Sequence, residues 1–383
     1  MKLLIHDLNQ NEWNKVAADY EGWTVISDDG SISPCVGCFG CWIKDPGVCV
    51  IKDGYEKMGA LFHKADEVVI MSRYTYGGFS SFVKNVMDRS IGYILPLFEI
   101  YKGEMHHKKR YDESKPITFI IRGEGLTEED KEKARKYIQA VAINFHGEIR
   151  DIRFEESDSE PSEAATTASP AELKDKTLFL NCSLRGDNAN SKRFLDTLSE
   201  KVTGDKESVN LLSYMKKLDE LVDIVLSAKK VVIGMPLYVD GIPSAPLRLL
   251  EKLEKAGMNS DQKIYLVTNM GFYESKQLVN LFSMARTWCE KCGVQYCGGV
   301  GAGAGEMMGY VLQYGANGPA KNIVEGINKL GETIEASGKI DDIYADATKF
   351  PRIAYLFAGS SGMKKSAKAN GLKTKDIYRR IEI

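Results

Sequence analysis

The sequence predicts an α/β protein built from two tandem, doubly wound parallel sheets. Short apolar runs of strand length alternate with stretches of helical spacing along the chain. The runs Glu67 to Ser72 and Lys230 to Met235 are almost continuously apolar, which is typical of strands buried on both faces of a parallel sheet. A chain of 383 residues is long enough for two domains that each bury a core.

The first half contains a series of strands separated by helical or loop segments. We expect strands at Lys2 to Leu8, Trp23 to Asp28, Glu67 to Ser72, Ile117 to Ile121 and Ile149 to Phe154. Helices are expected near residues 11–20, 55–65, 82–89 and 128–145. The charged stretch that holds His106 and His107 is interpreted as an exposed loop, where adjacent histidines are more often surface residues than metal ligands.

The second half repeats the order of the first, which we interpret as an internal duplication. Its strands are expected at Lys176 to Asn181, Ser208 to Leu212, Lys230 to Met235, Lys263 to Asn269 and Gln295 to Gly299. Between the halves lies an acidic segment rich in Ser, Ala, Thr and Pro, a composition typical of linkers. We place a first domain at 1–154, the linker at 155–175, a second domain at 176–338 and a C-terminal helical extension at 339–383.

Four of the eight cysteines crowd into one loop with the spacing C-x2-C-x2-C-x7-C, namely Cys35, Cys38, Cys41 and Cys49. Two-residue gaps let successive thiolates surround one object, and the interspersed glycines allow the backbone to bend. A structural zinc site usually pairs two C-x2-C knuckles or adds histidines, and no second pair lies close by. We favour a [4Fe-4S] cluster over zinc, over packed reduced cysteines and over the vestige of a lost cluster.

The stretch from Thr177 to Ser191 reads as a strand, a polar loop and the start of a helix. Such a junction directs backbone N–H groups and the positive end of a helix dipole at one spot, and Arg185 adds a cationic donor. The loop therefore suits a phosphate. The alternative is an ordinary strand-to-helix loop in which Asn and Ser side chains only cap the helix. The corresponding turn of the first half lacks glycine and arginine and suits a phosphate poorly.

The glycine run from Gly299 to Gly305 is not interpreted as a dinucleotide fingerprint. That fingerprint belongs to the first turn of a βαβ unit, whereas this run follows a last strand. A close backbone approach or a flexible loop is expected instead. The remaining cysteines are interpreted as small buried apolar residues, and these are Cys182, Cys289, Cys292 and Cys297. The C-x2-C spacing of Cys289 and Cys292 leaves a metal site as the alternative.

The composition argues against several classes of partner. The formal net charge is −2 and no long basic run occurs, so nucleic acid and anionic membranes are not favoured. No apolar stretch is long enough to span a bilayer, and the N-terminus turns polar too early for a signal peptide. We expect a cytoplasmic protein, with a basic C-terminal segment that packs on the fold or forms a homodimer contact rather than binding a membrane.

At this point the motifs resemble a known group. Ser183-x-Arg185, Pro236-Leu-Tyr238 and Thr268-Asn-Met-Gly271 resemble the NADPH-dependent FMN reductase group of flavodoxin-like proteins, and so does the tail with PRIAY and NGLKTKD. The four-cysteine loop resembles the compact motif of the iron-sulfur flavoproteins. The resemblance implies a five-stranded sheet of order 2-1-3-4-5 in each half, with FMN at the carboxyl edge of the second.

The resemblance also implies roles for particular residues. The phosphate would be held by Ser183, Arg185, Asn188, Asn190 and Ser191, the isoalloxazine would be flanked by Pro236, Leu237, Tyr238 and Val239, and its polar edge would be bound by Thr268, Asn269, Met270 and Gly271. The cluster would be bound by Cys35, Cys38, Cys41 and Cys49. The first half keeps a flavin-edge loop from Tyr74 to Gly78 but has lost the phosphate loop, so it is interpreted as a degenerate copy.

The function implied is an FMN-dependent NAD(P)H oxidoreductase that relays electrons through a [4Fe-4S] cluster to a small-molecule acceptor or a redox protein. No catalytic residue is assigned, and Tyr238, Tyr273 and Glu274 are weak candidates for a general acid. Two alternatives remain, namely a non-catalytic electron carrier and a flavodoxin-like scaffold that has lost its cofactors.

Overall fold

The computed structural model describes residues 1–157 and 172–383. These residues form two compact units. The first comprises residues 1–157 together with 356–383, and the second comprises residues 172–355. Most of the expected linker lies outside the described residues. Within the described chain, every helix is too short or too polar to cross a bilayer.

The main sheet of the first unit has five parallel strands in the order β2-β1-β3-β6-β7. The strands are β1 (Lys2–His6), β2 (Thr24–Ser27), β3 (Glu67–Arg73), β6 (Pro116–Arg122) and β7 (Glu148–Glu155). Counted among the parallel strands alone, this is the order 2-1-3-4-5 of flavodoxin-like folds. The fold predicted for the first half is confirmed.

The strands form because their apolar residues are buried on both faces. In β3 every residue from Val68 to Ser72 is buried, which a continuous apolar run permits only in a covered sheet. One core cluster joins β1, β3 and β6 through Leu4, Val69 and Ile120. Trp13 and Trp23 pack against it from the chain between β1 and β3. The helices of this unit are α1 (Gln10–Val16), α2 (Gly40–Ile43), α3 (Met58–Lys64), α4 (Ser81–Arg89) and α5 (Glu128–Asn144), with 3-10 turns at Ala17–Tyr20, Ser90–Tyr93 and Thr374–Tyr378.

The first unit also contains an antiparallel hairpin, β4 (Ile94–Tyr101) and β5 (Glu104–Lys109). Its two-residue turn places Lys102 and Gly103 at φ values of 50° and 90°, as the tight turns of hairpins require. The expectation of an exposed loop here is wrong, because His106 lies in β5 and is only 3% exposed. Its Nδ1 is 3.0 Å from the side-chain oxygen of Asn144.

The second unit has six parallel strands in the order β9-β8-β10-β11-β12-β13. They are β8 (Lys174–Asn181), β9 (Asp205–Asn210), β10 (Ala228–Pro236), β11 (Lys263–Asn269), β12 (Gln295–Ala302) and β13 (Ile343–Ala345). The first five in sequence repeat the order 2-1-3-4-5. The prediction of five strands is wrong for this sheet, because the three residues of β13 pair with the end of β12 as a sixth strand. Since β13 lies within 339–383, the C-terminal extension is not entirely helical. The duplication itself stays a prediction.

The helices of the second unit cover both faces of this sheet. They are α6 (Asn190–Ser199), α7 (Leu218–Leu226), α8 (Ser244–Ala256), α9 (Val279–Cys292), α10 (Gly305–Val311) and α11 (Lys321–Glu335), with 3-10 turns at Gly186–Asn188, Leu211–Tyr214, Ser275–Leu278 and Leu312–Asn317. The glycine run makes the close approach that was expected. A side chain on Gly298 would collide with the carbonyl of Ile340, and one on Gly303 would collide with the carbonyl of Tyr273.

The last helix, α12 (Arg352–Ala369), is followed by a tail that packs within the first unit. The Arg379 guanidinium donates two hydrogen bonds to the carbonyl of Pro46, at 3.1 and 2.9 Å, and pairs with Asp45. Arg110 donates to the carbonyls of Ile377 and Arg379 at 2.7 and 2.8 Å. The tail therefore contacts the four-cysteine loop at Asp45 and Pro46.

Candidate flavin site and four-cysteine loop

Three of the predicted segments meet at one edge of the second sheet. Strand β10 lies between β8 and β11, with Gly234 beside Asn181 and Pro236 beside Asn269. Since all three strands are parallel, the loops that follow them leave the sheet at the same edge. The structure therefore brings together the predicted phosphate loop, the loop predicted to flank the ring and the loop predicted to bind its polar edge.

The phosphate loop is organised by Asn181, a residue that sequence reasoning did not assign to the site. Its buried side chain donates to the Gly186 carbonyl at 3.0 Å and accepts from the Ser183 backbone N–H at 3.2 Å. Gly186 has a φ of 58°, a value that a glycine adopts without strain. An amide at the end of a strand was the only available signal, because asparagine commonly shapes turns through such bonds.

The loop leads into the first turn of α6, which has no side-chain cap. Ser183, Asn190 and Ser191 are buried at this point, whereas Asn188 is exposed. Uncapped N–H groups at the start of a ten-residue helix favour an anion there. The side chain of Arg185, in the loop that precedes this turn, is 32% exposed. The arrangement can bind a phosphate, with Asn188 the least involved of the predicted residues.

The last two residues of β11 carry polar atoms that the described residues leave without a hydrogen-bond partner. These atoms are Oγ1 of Thr268 and Nδ2 of Asn269, both buried. An unsatisfied buried donor or acceptor is costly, so a ligand group that pairs with either atom is favoured. By contrast, the N–H of Met270 already donates to Ala302 at 3.1 Å. Thr268 and Asn269 therefore fit the polar edge of a flavin better than Met270 does.

The loop after β10 turns sharply at the predicted ring-flanking residues. Val239 and Asp240 have φ values of 40° and 58°, and the backbones of Tyr238 and Gly241 bond to each other. The Leu237 N–H donates to the Asn269 carbonyl at 2.8 Å, which joins this turn to the neighbouring loop. The side chains of Leu237, Tyr238 and Val239 stay partly exposed, so they are available to a planar ligand.

Two of the weak general-acid candidates are committed to contacts within the fold. The Tyr273 hydroxyl donates to the carbonyl of Phe350 at 2.9 Å, and burial raises the pKa of this tyrosine. Glu274 forms an ion pair with Arg352. These contacts assign structural roles to Tyr273 and Glu274.

The corresponding edge of the first unit carries carboxylates instead of a phosphate loop. Asp7 follows β1 and accepts from Nε and the backbone N–H of Arg73, at 3.2 and 3.1 Å. The first turn of α1 is closed by a capping box between Asn9 and Glu12, and Glu12 also pairs with Arg122 at 3.0 Å. Carboxylates at a helix start repel a phosphate and occupy the groups that would bind it.

We therefore expect one FMN per chain, bound by the second unit. The reason is that Asp7 and Glu12 would repel a phosphate at the start of α1. Saturating the flavin-free protein with FMN and measuring bound flavin against protein concentration tests this. A ratio near two would contradict it, and Arg185→Ala would then reduce the ratio to one.

The four-cysteine loop is shaped by left-handed backbone positions and by bonds from α4. Phe39 has a φ of 57°, and it precedes the single turn of α2 that carries Cys41. The Cys35 N–H donates to the side chain of Asn85 at 3.3 Å. Arg89 donates to the Ser33 carbonyl at 2.7 Å, just before the first cysteine. The loop is thus hydrogen-bonded to α4 near its first cysteine and to the tail at Pro46.

The four thiols are close enough to influence one another electrostatically. Burial raises the pKa of Cys35 to about 12, and the charges of Asp88, Cys49 and Cys38 add to the shift. Burial also raises the pKa of Cys41, with contributions from the other three cysteines. Deprotonating such a cluster is unfavourable unless a cation neutralises it. However, within residues 1–157 and 172–383 no three His, Cys, Asp or Glu side chains stand in a formed metal-binding arrangement.

No family model matches the sequence. The iron-sulfur flavoprotein MJ1083 of Methanocaldococcus jannaschii is 36% identical over 62 residues, which are 16% of this chain and 31% of that protein. The chain thus spans about a third of the length of this curated relative.

Two solved structures show a weak likeness. An FMN-dependent NADH-azoreductase from Bacillus anthracis str. Ames Ancestor, in complex with FMN, is 14% identical, covers 43% of this chain and 99% of its own, and gives a TM-score of 0.30. An NAD(P)H:quinone oxidoreductase from Methanothermobacter marburgensis is 12% identical, covers 43% and 97%, and gives a TM-score of 0.30. Likeness at these scores carries no argument about activity. The strand order observed in both units is the basis for assigning each sheet to the flavodoxin-like fold.

Proposed function

We propose that this chain is an FMN-dependent NAD(P)H oxidoreductase whose flavin binds in the second unit. The observation that carries the proposal is the meeting of three loops at one sheet edge, where Thr268 and Asn269 hold buried polar atoms that have no partner among the described residues. Ligands of flavodoxin-like sheets bind at this edge, at the carboxyl ends of the strands. The short match to an iron-sulfur flavoprotein supports the same class of chemistry.

Each segment of the site would do one task. Bound FMN supplies the ability to take up two electrons from a nicotinamide and to release them together or singly. The first turn of α6 and Arg185 would bind the phosphate, and Thr268 and Asn269 would bind the polar edge of the ring. The turn around Tyr238 would cover one side of the ring and keep water from it. The electron acceptor would be a small molecule or a redox protein.

We further propose that the four cysteines of the first unit bind a [4Fe-4S] cluster, which supplies one-electron transfer and the relay that the resemblance implies. The support is the chemistry of the donor set, because four cysteines stand in a single loop with a C-x2-C-x2-C-x7-C spacing. Among the described residues these thiols are not arranged as a formed metal site, so the loop would have to close around the cluster. Asn85 and Arg89 would fix the loop near its first cysteine, and Arg379 would fix it at Pro46.

The visible spectrum of protein purified without oxygen, with its iron and flavin content, tests both parts. We expect flavin bands with a broad iron-sulfur shoulder, and oxidation of NADH or NADPH in the presence of a quinone or dye. Replacing Cys38 and Cys41 with Ala removes the iron and the shoulder while the flavin stays. Cys292→Ala in the second unit is the control, and it keeps both.

Other outcomes would change the assignment. Flavin without iron, under anaerobic purification, would contradict the cluster and leave an FMN reductase. Bound flavin that no nicotinamide reduces would contradict the oxidoreductase and favour an electron carrier. A colourless protein that takes up neither cofactor would overturn both proposals.

A further inference from the structure

Helix α10 contacts the candidate phosphate loop at several points along its length. The Glu306 carboxylate lies 3.1 Å from Nη1 of Arg185. Three residues on, a side chain at Gly309 would collide with Oδ1 of Asn190, so the helix backbone itself approaches the start of α6. The ring of Tyr310 lies 5.2 Å from the Arg193 guanidinium. Helix α10 therefore lies against Arg185 and Asn190, two of the residues that would bind the phosphate.

The start of α10 is also fixed to the loop that would bind the flavin edge. The Gly305 N–H donates to the Met270 carbonyl at 2.7 Å, and the Ala304 N–H donates to the Phe272 carbonyl at 2.5 Å. Ala304 adopts a φ of 52° to make this turn. Glu306 follows directly, so its carboxylate is placed beside Arg185 by backbone contacts as well as by its charge.

A phosphate bound at this loop would share Arg185 with the glutamate. The side chains of Arg185 and Glu306 are 32% and 41% exposed, and ion pairs of that exposure are weak. A phosphate accepts shorter, charge-assisted hydrogen bonds from a guanidinium and can therefore displace the carboxylate. At the same time, the nearby carboxylate repels the phosphate while it stays in place.

We propose that Glu306 is a built-in competitor of the FMN phosphate for Arg185, so that the Glu306 carboxylate opposes flavin binding and leaves the guanidinium when FMN enters. This inference rests on the proposed function. It assigns to Glu306 the role of setting the affinity for the phosphorylated flavin. Riboflavin lacks the phosphate, so it does not compete with Glu306 for Arg185.

Titration of the flavin-free, full-length protein with FMN and with riboflavin tests the inference, with flavin fluorescence as the readout. Glu306→Gln tightens FMN binding roughly fivefold, the change expected for loss of one exposed charge pair. Its affinity for riboflavin stays as in the unmodified protein. Glu207→Gln is the matched control, because Glu207 is also 41% exposed and pairs with Lys176 near the start of β8. This control removes the same charge and leaves FMN affinity unchanged.

The outcomes separate the inference from the proposed function. If the unmodified protein binds FMN but Glu306→Gln binds it equally or more weakly, the competition is wrong and the flavin site stands. The same holds if riboflavin and FMN tighten by equal factors. If the unmodified protein binds neither flavin, the proposed function fails and the inference fails with it. An unchanged thermal unfolding midpoint shows that both variants are folded.

Discussion

Replacing Lys84 with Met is expected to lower the free energy of unfolding by about 3–5 kcal/mol. Lys84 and Asp88 form an ion pair one turn apart in α4, and the side chains of both are 0% exposed. Removing the lysine takes away the cation that faces the buried Asp88 carboxylate, and breaking one side of a buried ion pair is strongly destabilising. Urea unfolding measures the change.

Two further variants make this prediction specific. The double variant Lys84→Met with Asp88→Asn removes both charges and recovers most of the loss, since no buried charge is left alone. Lys136→Met is the control, because Glu132 and Lys136 have the same spacing in α5 of the same unit but are 54% and 66% exposed. It should cost less than about 0.5 kcal/mol. Equal losses in Lys84→Met and Lys136→Met would contradict the prediction. Trp13, Trp23 and Trp42 all lie in the first unit, so tryptophan fluorescence reports mainly on that unit.

Arg185→Ala is expected to weaken FMN binding about 30-fold, which corresponds to about 2 kcal/mol for a charge-assisted hydrogen bond. Arg185 stands in the loop that leads into the uncapped first turn of α6, where its guanidinium would complete the set of donors to the phosphate. The affinity for riboflavin should change little, because that flavin has no phosphate. The measurement is a fluorescence titration of flavin-free protein with each flavin.

The control for Arg185→Ala is Lys252→Ala, which removes a positive charge from the same unit at a site on α8. Lys252 pairs with Asp219 at 2.6 Å, and both side chains are solvent-accessible. FMN affinity should be unchanged in this variant. Equal weakening of FMN and riboflavin by Arg185→Ala would instead assign the arginine to the ring or the ribityl chain and would contradict a phosphate role.

The central strands were predictable because strands buried on both faces consist of continuous runs of apolar residues. The runs expected at Glu67 to Ser72 and Lys230 to Met235 became β3 and β10 within two residues at each end. The hairpin of β4 and β5 was missed because its turn is Lys102-Gly103, whereas Asn-Gly and Asp-Gly are the usual signals for such turns. Strand β13 has only three residues and pairs on one side, so it leaves no periodic pattern.

The candidate site was predictable in outline, because its loops follow strands that parallel topology brings to one edge. Two parts of it were not predictable. Asn181 shapes the phosphate loop through bonds to Ser183 and Gly186, and nothing in the sequence states which atoms pair. Glu306 lies 121 residues after Arg185 in the chain, and such a contact leaves no local pattern in a single sequence.

The contact between Arg379 and Pro46 can form only after the whole chain between them has been synthesised. The two residues are 333 positions apart, and the ribosome makes the chain from its N-terminus at about 5–20 residues per second. The cysteine loop therefore leaves the ribosome well before the arginine that will hold it exists. It is unrestrained by the tail while the second unit is being made, and Arg379 binds Pro46 and Asp45 afterwards.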